Sequence, residues 1–157
     1  MTKAVFAGSF DPPTYGHLNV IERASKLFDK LDIVIAVNPD KNYMFDSQER
    51  VDMISKMTEG LKNISIHTWN GLIVDYCKNN EVDVLVRGIR NANDFAYEFD
   101  LSLMNKSLGN VETLMLPTEQ KYVIVRSSSI KELAKFGGDI TGMVPEFIAE
   151  KVKNFFK

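Results

Sequence analysis

Apolar runs alternate with stretches of helical periodicity along the whole chain. Five short runs rich in Val, Ile, Leu and Ala predict strands at residues 3–8, 31–37, 64–68, 82–87 and 111–116. Several of these runs are nearly continuous, which is typical of strands covered on both faces. Apolar residues spaced three and four positions apart predict six helices, at residues 20–28, 51–57, 72–77, 94–108 and 128–136 and from Pro145 onward.

Regular alternation of strands and helices predicts an α/β fold. We expect a doubly wound, Rossmann-like, parallel five-stranded sheet with helices on both faces. The chain contains no internal repeat, low-complexity tract or long linker, so we expect residues 1–157 to form one domain. Ligands of such folds bind beyond the carboxyl ends of the strands. The pattern therefore predicts a site in the loops at residues 9–16, 38–45, 69–71, 88–93 and 117–127.

Composition narrows the classes of function. A net charge of −2 over 157 residues argues against a protein that coats nucleic acid, because such domains carry a basic excess. The single cysteine, Cys77, excludes an intramolecular disulfide framework and a multi-cysteine metal site. No apolar run reaches the length of a membrane span, and the first residues lack the apolar stretch of a signal peptide. We therefore expect a cytoplasmic protein.

The first loop carries the strongest local signal. Residues 8–17 read GSFDPPTYGH, a sharp turn followed by a helix start at Thr14. A helix N-terminus offers free N–H groups and a positive dipole end to phosphate. Gly16 would let an anion approach the backbone, and His17 would direct an imidazole at it. A lone histidine is usually incidental, but this one follows a glycine in the first βα turn, which favours a functional role.

Several motifs resemble those of known enzymes. Residues 14–17, TYGH, resemble the H/T-x-G-H signature of the nucleotidyltransferase superfamily, and residues 125–131, VRSSSIK, resemble its second signature, I-S-S-T/S-x-x-R/K. Serine hydroxyls and N–H groups at that helix start would suit the β- and γ-phosphates of a nucleotide. Residues 87–98, RGIRNANDFAYE, resemble the R-G-x-R-x-x-x-D-F-x-Y-E segment of the phosphopantetheine adenylyltransferase family, and residues 38–45 resemble its lysine loop. The resemblance covers essentially the whole chain, with one departure: the family commonly has Ser at the position of Arg126.

The resemblance implies a reaction and a set of site residues. The reaction is transfer of the adenylyl group of ATP to 4′-phosphopantetheine, giving dephospho-coenzyme A and pyrophosphate by direct in-line attack, with Mg²⁺ as cofactor. The implied catalytic residues are His17, on the α-phosphate, and Lys41 and Arg87, on the acceptor phosphate. Ser9 and Ile73 would also contact the acceptor. The implied ATP contacts are Ser9, Phe10, His17, Gly88, Ile89, Arg90, Glu98, Tyr122, Val123, Ile124, Val125, Arg126, Ser127 and Ser128.

Elementary electrostatics agrees with these implied roles. Two unit charges about 4 Å apart repel by roughly 4 kcal/mol at an effective dielectric of 20, so bringing two phosphates together without cations is costly. Lys41, Arg87 and Arg90, together with Mg²⁺, would offset that repulsion. No covalent nucleophile is needed, because catalysis reduces to positioning and charge stabilisation.

The fourth helix indicates a partner surface. Residues 94–108 are apolar over most of the helix and leave a narrow polar stripe of Asp94, Glu98, Ser102 and Asn105. A helix of this kind must be widely buried, which predicts contact with another subunit. The resemblance implies a homohexamer, and it allows coenzyme A as a feedback ligand. By contrast, we interpret His67, Trp69 and Cys77 as structural.

Other functions remain open from the residues alone. Within the same class, the chain could be a nicotinamide or nicotinate mononucleotide adenylyltransferase or a cytidylyltransferase, although Thr14 and the segment from Arg87 to Glu98 weigh against both. From a different class, it could be a non-catalytic nucleotide sensor. Release of pyrophosphate with a given acceptor separates these alternatives.

Overall fold

The five predicted strands form one parallel sheet. A computed structural model describes residues 1–157 and contains β1 (Lys3–Gly8), β2 (Lys30–Ala36), β3 (Ile64–Trp69), β4 (Val84–Ile89) and β5 (Glu112–Pro117). The strands lie in the order β3-β2-β1-β4-β5, and every neighbouring pair is parallel. The predicted doubly wound, five-stranded α/β fold is therefore confirmed. Strand ends differ from the prediction by one or two residues, as at Val82, whose N–H instead donates to the Cys77 carbonyl.

Six helices connect and flank the strands. They are α1 (Tyr15–Leu27), α2 (Ser47–Met57), α3 (Ile73–Asn79), α4 (Ala92–Gly109), α5 (Ser127–Lys135) and α6 (Glu146–Phe155), with one turn of 3₁₀ helix at Gln120–Tyr122. Pro145 is the N-cap of α6 rather than its first helical residue. Asp46 caps α2 through a reciprocal pair of hydrogen bonds with Glu49, which satisfies backbone donors at the helix start.

Each face of the sheet buries its own apolar layer. Ala4 and Phe6 of β1 face a cluster that includes Ile21 of α1 and Ile54 of α2, whereas Val5 faces a cluster with Cys77 of α3. The alternation follows from the twofold period of a strand, and it places helices on both faces as predicted. Cys77 is 3 % exposed, and burial raises the pKa of its thiol to about 11, which confirms the structural interpretation.

The order of the strands determines where a ligand crevice can form. From β1 the chain winds outwards through β2 to β3, and then it crosses back to β4 and winds outwards to β5. The adjacent strands β1 and β4 are therefore followed by loops that lead towards opposite sides of the sheet. The gap between these two loops is the topological switch point, where ligands of doubly wound folds bind. The edge strand β3 lies two strand spacings from β1, about 10 Å away, so its loop is distant from this point.

Helix α4 is mostly uncovered within one chain. Only Glu98 of this helix is buried. Its exposed apolar residues, between 47 and 64 % accessible, are Phe95, Tyr97, Phe99, Leu103, Met104 and Leu108. The predicted wide burial of this helix is therefore not provided by the chain's own core. The helices of the protein, α4 included, lack the combination of length and apolarity that crossing a membrane demands.

Candidate active site

A pocket opens at the switch point between β1 and β4. It has a volume of about 290 Å³. Its walls come from the loops after β1, β4 and β5 and from the first turns of α1, α4 and α5. The lining residues are Phe6, Ala7, Gly8, Phe10, Thr14, Gly16, His17, Val20, Arg87, Gly88, Arg90, Asp94, Glu98, Thr118, Tyr122, Val125, Arg126 and Ser127. The loops at 38–45 and 69–71, which the sequence also predicted, do not line it, because they follow strands on the far side of β1.

His17 is held as a neutral hydrogen-bond donor. It occupies the third position of α1, where its own N–H donates to Thr14 Oγ1 at 3.2 Å. The Thr14 N–H donates in return to His17 Nδ1 at 3.0 Å, so the ring proton of the neutral imidazole is on Nε2. Burial, with electrostatic repulsion from Arg90, lowers the pKa of His17 to about 4. At neutral pH the ring can therefore donate Nε2–H to a phosphate oxygen without itself carrying charge.

The side chain of Phe10 packs against His17. Its side chain is almost fully buried, and its ring meets the His17 ring edge to face at a centroid distance of 4.9 Å. The backbone of Phe10 has φ 49°, a left-handed conformation that is strained for a residue with a side chain. Strain of this kind costs about 1–3 kcal/mol and persists only where surrounding packing enforces it. Here the Phe10 ring packs against the imidazole of His17, whose orientation is set by the hydrogen bond from the Thr14 N–H.

Two arginines in the pocket are paired with carboxylates. Arg87 donates to both carboxylate oxygens of Glu98, at 2.9 and 2.8 Å, and to the Ala7 carbonyl at 3.1 Å. Arg90 donates to both oxygens of Asp94, at 2.8 and 3.2 Å, and this hydrogen bonding lowers the pKa of Asp94. A guanidinium has five N–H donors. Each arginine therefore keeps at least two donors for a phosphate while its orientation is already set.

The segment that leads from β5 to α5 also lines the pocket, and it is held in place by other parts of the chain. The α1 side chains of Asn19 and Arg23 hold its first part through hydrogen bonds to Glu119 and to the Pro117 carbonyl, both shorter than 3 Å. Ser127 Oγ ties the start of α5 to the Pro12 carbonyl at 2.8 Å. No side chain caps α5, so its first N–H groups remain free to meet an anion. A Cβ at Gly16 would lie only 3.3 Å from Thr14 Oγ1, so the absence of a side chain there avoids a close contact with the N-cap of α1.

Some of the predicted site residues line this pocket, and the others lie outside its lining. The predicted residues that line the pocket are Phe10, His17, Arg87, Gly88, Arg90, Glu98, Tyr122, Val125, Arg126 and Ser127. The predicted residues outside its lining are Ser9, Lys41, Ile73, Ile89, Val123, Ile124 and Ser128. Lys41 is exposed at the tip of the loop after β2, and Ile73 begins α3 beyond β3.

Two buried polar residues that sequence reasoning missed connect the pocket to the 38–45 loop. Asp11 is 3 % exposed and accepts hydrogen bonds from the N–H groups of Met44 and Phe45, at 2.7 and 2.9 Å. Arg50 is 1 % exposed and donates to the carbonyls of Ser9 and Ala36, at 2.8 and 2.9 Å. The sequence carried a partial signal for these two residues, because both lie beside apolar positions. A charged residue in such a place is almost never fully buried unless it is paired, so a partner could have been expected.

The side chains of the pocket do not form a metal site by themselves. A metal ion would fit here only when a bound ligand supplies most of its coordinating atoms. Its two carboxylates, Asp94 and Glu98, are both bound by arginines. The protein has no cluster of three or more His, Cys, Asp or Glu side chains that could hold an ion. Mg²⁺ bound with nucleotides characteristically takes most of its ligands from phosphate and water. Such an ion could therefore enter this pocket with a triphosphate.

Comparisons with known proteins agree with this geometry. The cytidylyltransferase-like family matches residues 5–133. A phosphopantetheine adenylyltransferase of Clostridium botulinum (strain Eklund 17B / Type B) is 46 % identical over 97 % of this chain and 96 % of its own length. The phosphopantetheine adenylyltransferase of Dictyoglomus turgidum is 43 % identical over 100 % of this chain and 99 % of its own, and that of Desulfatibacillum aliphaticivorans is 43 % identical over 98 and 89 %.

A solved structure supports the fold. The crystal structure of a putative nicotinate-nucleotide adenylyltransferase from Vibrio parahaemolyticus superimposes with a TM-score of 0.71, covering 100 % of this chain and 97 % of that one. At a sequence identity of 20 %, this similarity supports a shared fold and nothing further. The sequence matches go further, since they run through both pocket motifs and nearly the full length. The chain belongs to the phosphopantetheine adenylyltransferase family, within the cytidylyltransferase-like nucleotidyltransferases.

Proposed function

We propose that residues 1–157 act as one nucleotidyltransferase domain that transfers the adenylyl group of ATP to 4′-phosphopantetheine, giving dephospho-coenzyme A and pyrophosphate. The observation that carries the proposal is identity of 43–46 % across nearly the whole chain to enzymes named for this reaction. The arrangement of His17, Arg87 and Arg90 around one pocket supports it, because these groups suit two phosphates that must meet.

The reaction needs no covalent intermediate on the protein. An oxygen of the acceptor phosphate attacks the α-phosphorus of ATP in line, and a new P–O bond forms. The bond from the α-phosphorus to the oxygen bridging to the β-phosphate breaks, and its electron pair leaves with pyrophosphate. His17 Nε2–H donates to an α-phosphate oxygen and stabilises the charge that accumulates there in the transition state. The ion pairs fix Arg87 and Arg90 before substrate arrives, so little reorganisation is needed.

The acceptor lies on the side of β2 and β3 in this proposal. A volume of about 290 Å³ is at the lower end for a small-molecule pocket, so a second substrate must extend beyond it. Lys41 stands at the tip of the next loop and would reach over the acceptor phosphate, opposite Arg87. Ser9 lies at the start of the loop between them, and Ile73 would contact the pantetheine arm further along the same edge.

Mg²⁺ is the proposed cofactor. It would enter with ATP, with phosphate oxygens and water as its main ligands, because Asp94 and Glu98 are engaged by arginines. When bound, it would neutralise part of the triphosphate charge and make pyrophosphate a better leaving group. The chain's own contribution is to hold the α-phosphate at His17 and the acceptor at Arg87 and Lys41.

Assembly, location and regulation complete the proposal. The exposed apolar face of α4, from Phe95 to Leu108, would pack against other copies of the chain in a homohexamer. Biosynthesis of coenzyme A from these substrates would take place in the cytoplasm. Coenzyme A itself would bind as a feedback ligand, since it shares the adenylyl and pantetheine parts of the product.

The test is release of pyrophosphate with a panel of acceptors. Purified protein with MgATP and 4′-phosphopantetheine should release pyrophosphate and form dephospho-coenzyme A in equal amounts. Nicotinamide or nicotinate mononucleotide in place of phosphopantetheine should give none. Turnover with a mononucleotide alone would assign a sister activity. Nucleotide binding without release for any acceptor would indicate a sensor instead.

A further inference from the structure

Arg50 is a buried cation without a carboxylate partner. Its side chain is almost fully buried, and it takes part in none of the ion pairs of the protein. A buried charge is costly unless other polar groups compensate it. Its Nη1 donates to the carbonyls of Ser9 and Ala36, at 2.8 and 2.9 Å, and its Nε donates to the Asp46 carbonyl at 3.3 Å. One guanidinium therefore ties together the loop after β1, the end of β2 and the start of α2.

An aromatic ring lies against one face of this guanidinium. Arg50 Cζ lies 3.9 Å from the centroid of the Tyr43 ring, which is a cation–π contact. Contacts of this kind are strongest where the cation is removed from water, as it is here. Tyr43 belongs to the surface loop at 38–45 and is only half-buried, yet its ring is fixed by a group of the interior.

The hydroxyl of Tyr43 connects this contact to the turn that carries Lys41. Its oxygen accepts a hydrogen bond from the Asn38 N–H at 3.1 Å. The Asn38 carbonyl in turn accepts from the Lys41 N–H at 3.0 Å. Asn38 Oδ1 also accepts from the Asp40 N–H at 2.9 Å, the side-chain contact that stabilises a tight turn. An unbroken series of contacts thus leads from the buried guanidinium to the backbone of Lys41.

We propose that Arg50 and Tyr43 are positioning residues for the acceptor, because they hold the turn from Asn38 to Lys41 where Lys41 can meet the acceptor phosphate. The assignment rests on the proposed function for the role of Lys41. A loop tip that is disordered before binding must be ordered by the ligand, and that ordering lowers affinity. The brace formed by Arg50, Tyr43 and Asn38 orders the backbone beforehand, while the Lys41 side chain stays solvated.

Equilibrium binding tests the proposal independently of turnover, with dissociation constants measured by calorimetry. Tyr43→Phe removes the hydroxyl but keeps a ring over Arg50, so the buried cation retains its cover. It should weaken binding of 4′-phosphopantetheine about threefold, the usual effect of losing one neutral hydrogen bond. Tyr43→Ala also removes the ring and should weaken it about tenfold, as much as loss of Lys41 itself. Binding of ATP should stay within about twofold in both variants.

Two further measurements distinguish a positioning role from a general structural one. If the hydroxyl acts through Lys41, Tyr43→Phe should have almost no additional effect on acceptor binding when it is combined with Lys41→Ala. Hydrogen exchange followed by NMR reports on the brace without any ligand. The Asn38 N–H should exchange faster in Tyr43→Phe than in the unmodified chain, because its acceptor is gone.

Ser25→Ala is the matched control. Ser25 likewise makes one hydroxyl hydrogen bond to a backbone group, the Glu22 carbonyl, but it lies within α1 and outside the pocket. The control should leave the binding of both ligands and the Asn38 exchange rate unchanged.

Four results would overturn the proposal. They are unchanged phosphopantetheine binding in Tyr43→Phe, an equal loss of ATP binding, a full effect of Tyr43→Phe beside Lys41→Ala, and an unchanged exchange rate at Asn38. The expected binding pattern without pyrophosphate release from ATP and 4′-phosphopantetheine would sustain this inference while rejecting the proposed function.

Discussion

The pocket wall and the 38–45 loop flank the same strand, β1, but hold their polar groups in opposite ways. In the wall, His17, Arg87 and Arg90 each have internal partners within 3.2 Å that determine their orientation. In the loop, the base is anchored by Asp11 and Arg50, whereas Lys41 at the tip is exposed and makes no ion pair. One region is organised before a ligand arrives, and the other is anchored at one end only.

The difference corresponds to what each region must do. Groups that stabilise a transition state act best when they are fixed in advance, because no reorganisation then opposes the reaction. A group that captures an incoming substrate acts at the mouth of the site and can remain solvated until contact. We therefore expect changes in the wall to alter turnover or stability, and changes at the loop tip to alter acceptor affinity.

The largest expected effect is at His17 in the wall. His17→Ala should lower kcat by about 100-fold or more, because Nε2–H stabilises charge mainly in the transition state, while the dissociation constant for ATP changes little. Steady-state kinetics and calorimetry measure the two quantities. His67→Ala is the control, since that histidine is exposed on β3 and outside the pocket. Near-normal kcat in His17→Ala would remove this residue from the mechanism.

The next effect concerns stability of the wall. Glu98→Gln leaves the Arg87 guanidinium without its counter-charge in a partly buried position, and it should lower the free energy of unfolding by about 2 kcal/mol. Urea denaturation measures this quantity. Asp100→Asn removes an exposed carboxylate from the same helix and should have almost no effect. Equal stabilities of the two variants would show that the pair is solvated and does not organise the wall.

A smaller effect is expected at the loop tip. Lys41→Ala should raise KM for phosphopantetheine about tenfold through loss of one charged contact, with KM for ATP and the melting temperature unchanged. Lys30→Ala serves as the control, because Lys30 is exposed at the opposite end of β2. An unchanged acceptor dependence would place Lys41 outside the acceptor site. An equal change in KM for ATP would erase the distinction between the two regions.

The smallest expected change is the response of His17 to pH. With a pKa of about 4, its ring signals in NMR should stay constant from pH 8 to 5.5, and Nε2 should carry the proton. The unfolded chain binds a proton near pH 6.5, so this group lowers stability as pH falls from about 7 towards 4, and the effect levels off below that. A titration midpoint near 6.5 in the folded protein would contradict the neutral donor.

The sequence was a good guide to the elements and to the motifs of the pocket wall. Short apolar runs predicted all five strands within two residues. Several of these runs are nearly continuous, because strands buried on both faces leave little room for polar residues. Thr14 and His17 could be placed at a helix start because capping is a local interaction. Arg87, Arg90 and Glu98 were found through one motif, but their pairing was not apparent from it.

What only the tertiary structure decided is which loops meet. Sequence alone treats the five strand ends as equivalent, whereas the order β3-β2-β1-β4-β5 unites three of them in one pocket and leaves Lys41 and Ile73 outside its lining. The reason is that strand order depends on how helices pack on each face, a property of the whole chain. In the same way, Asp11 and Arg50 found partners 33 to 41 residues away, and the sequence shows no contact of that range.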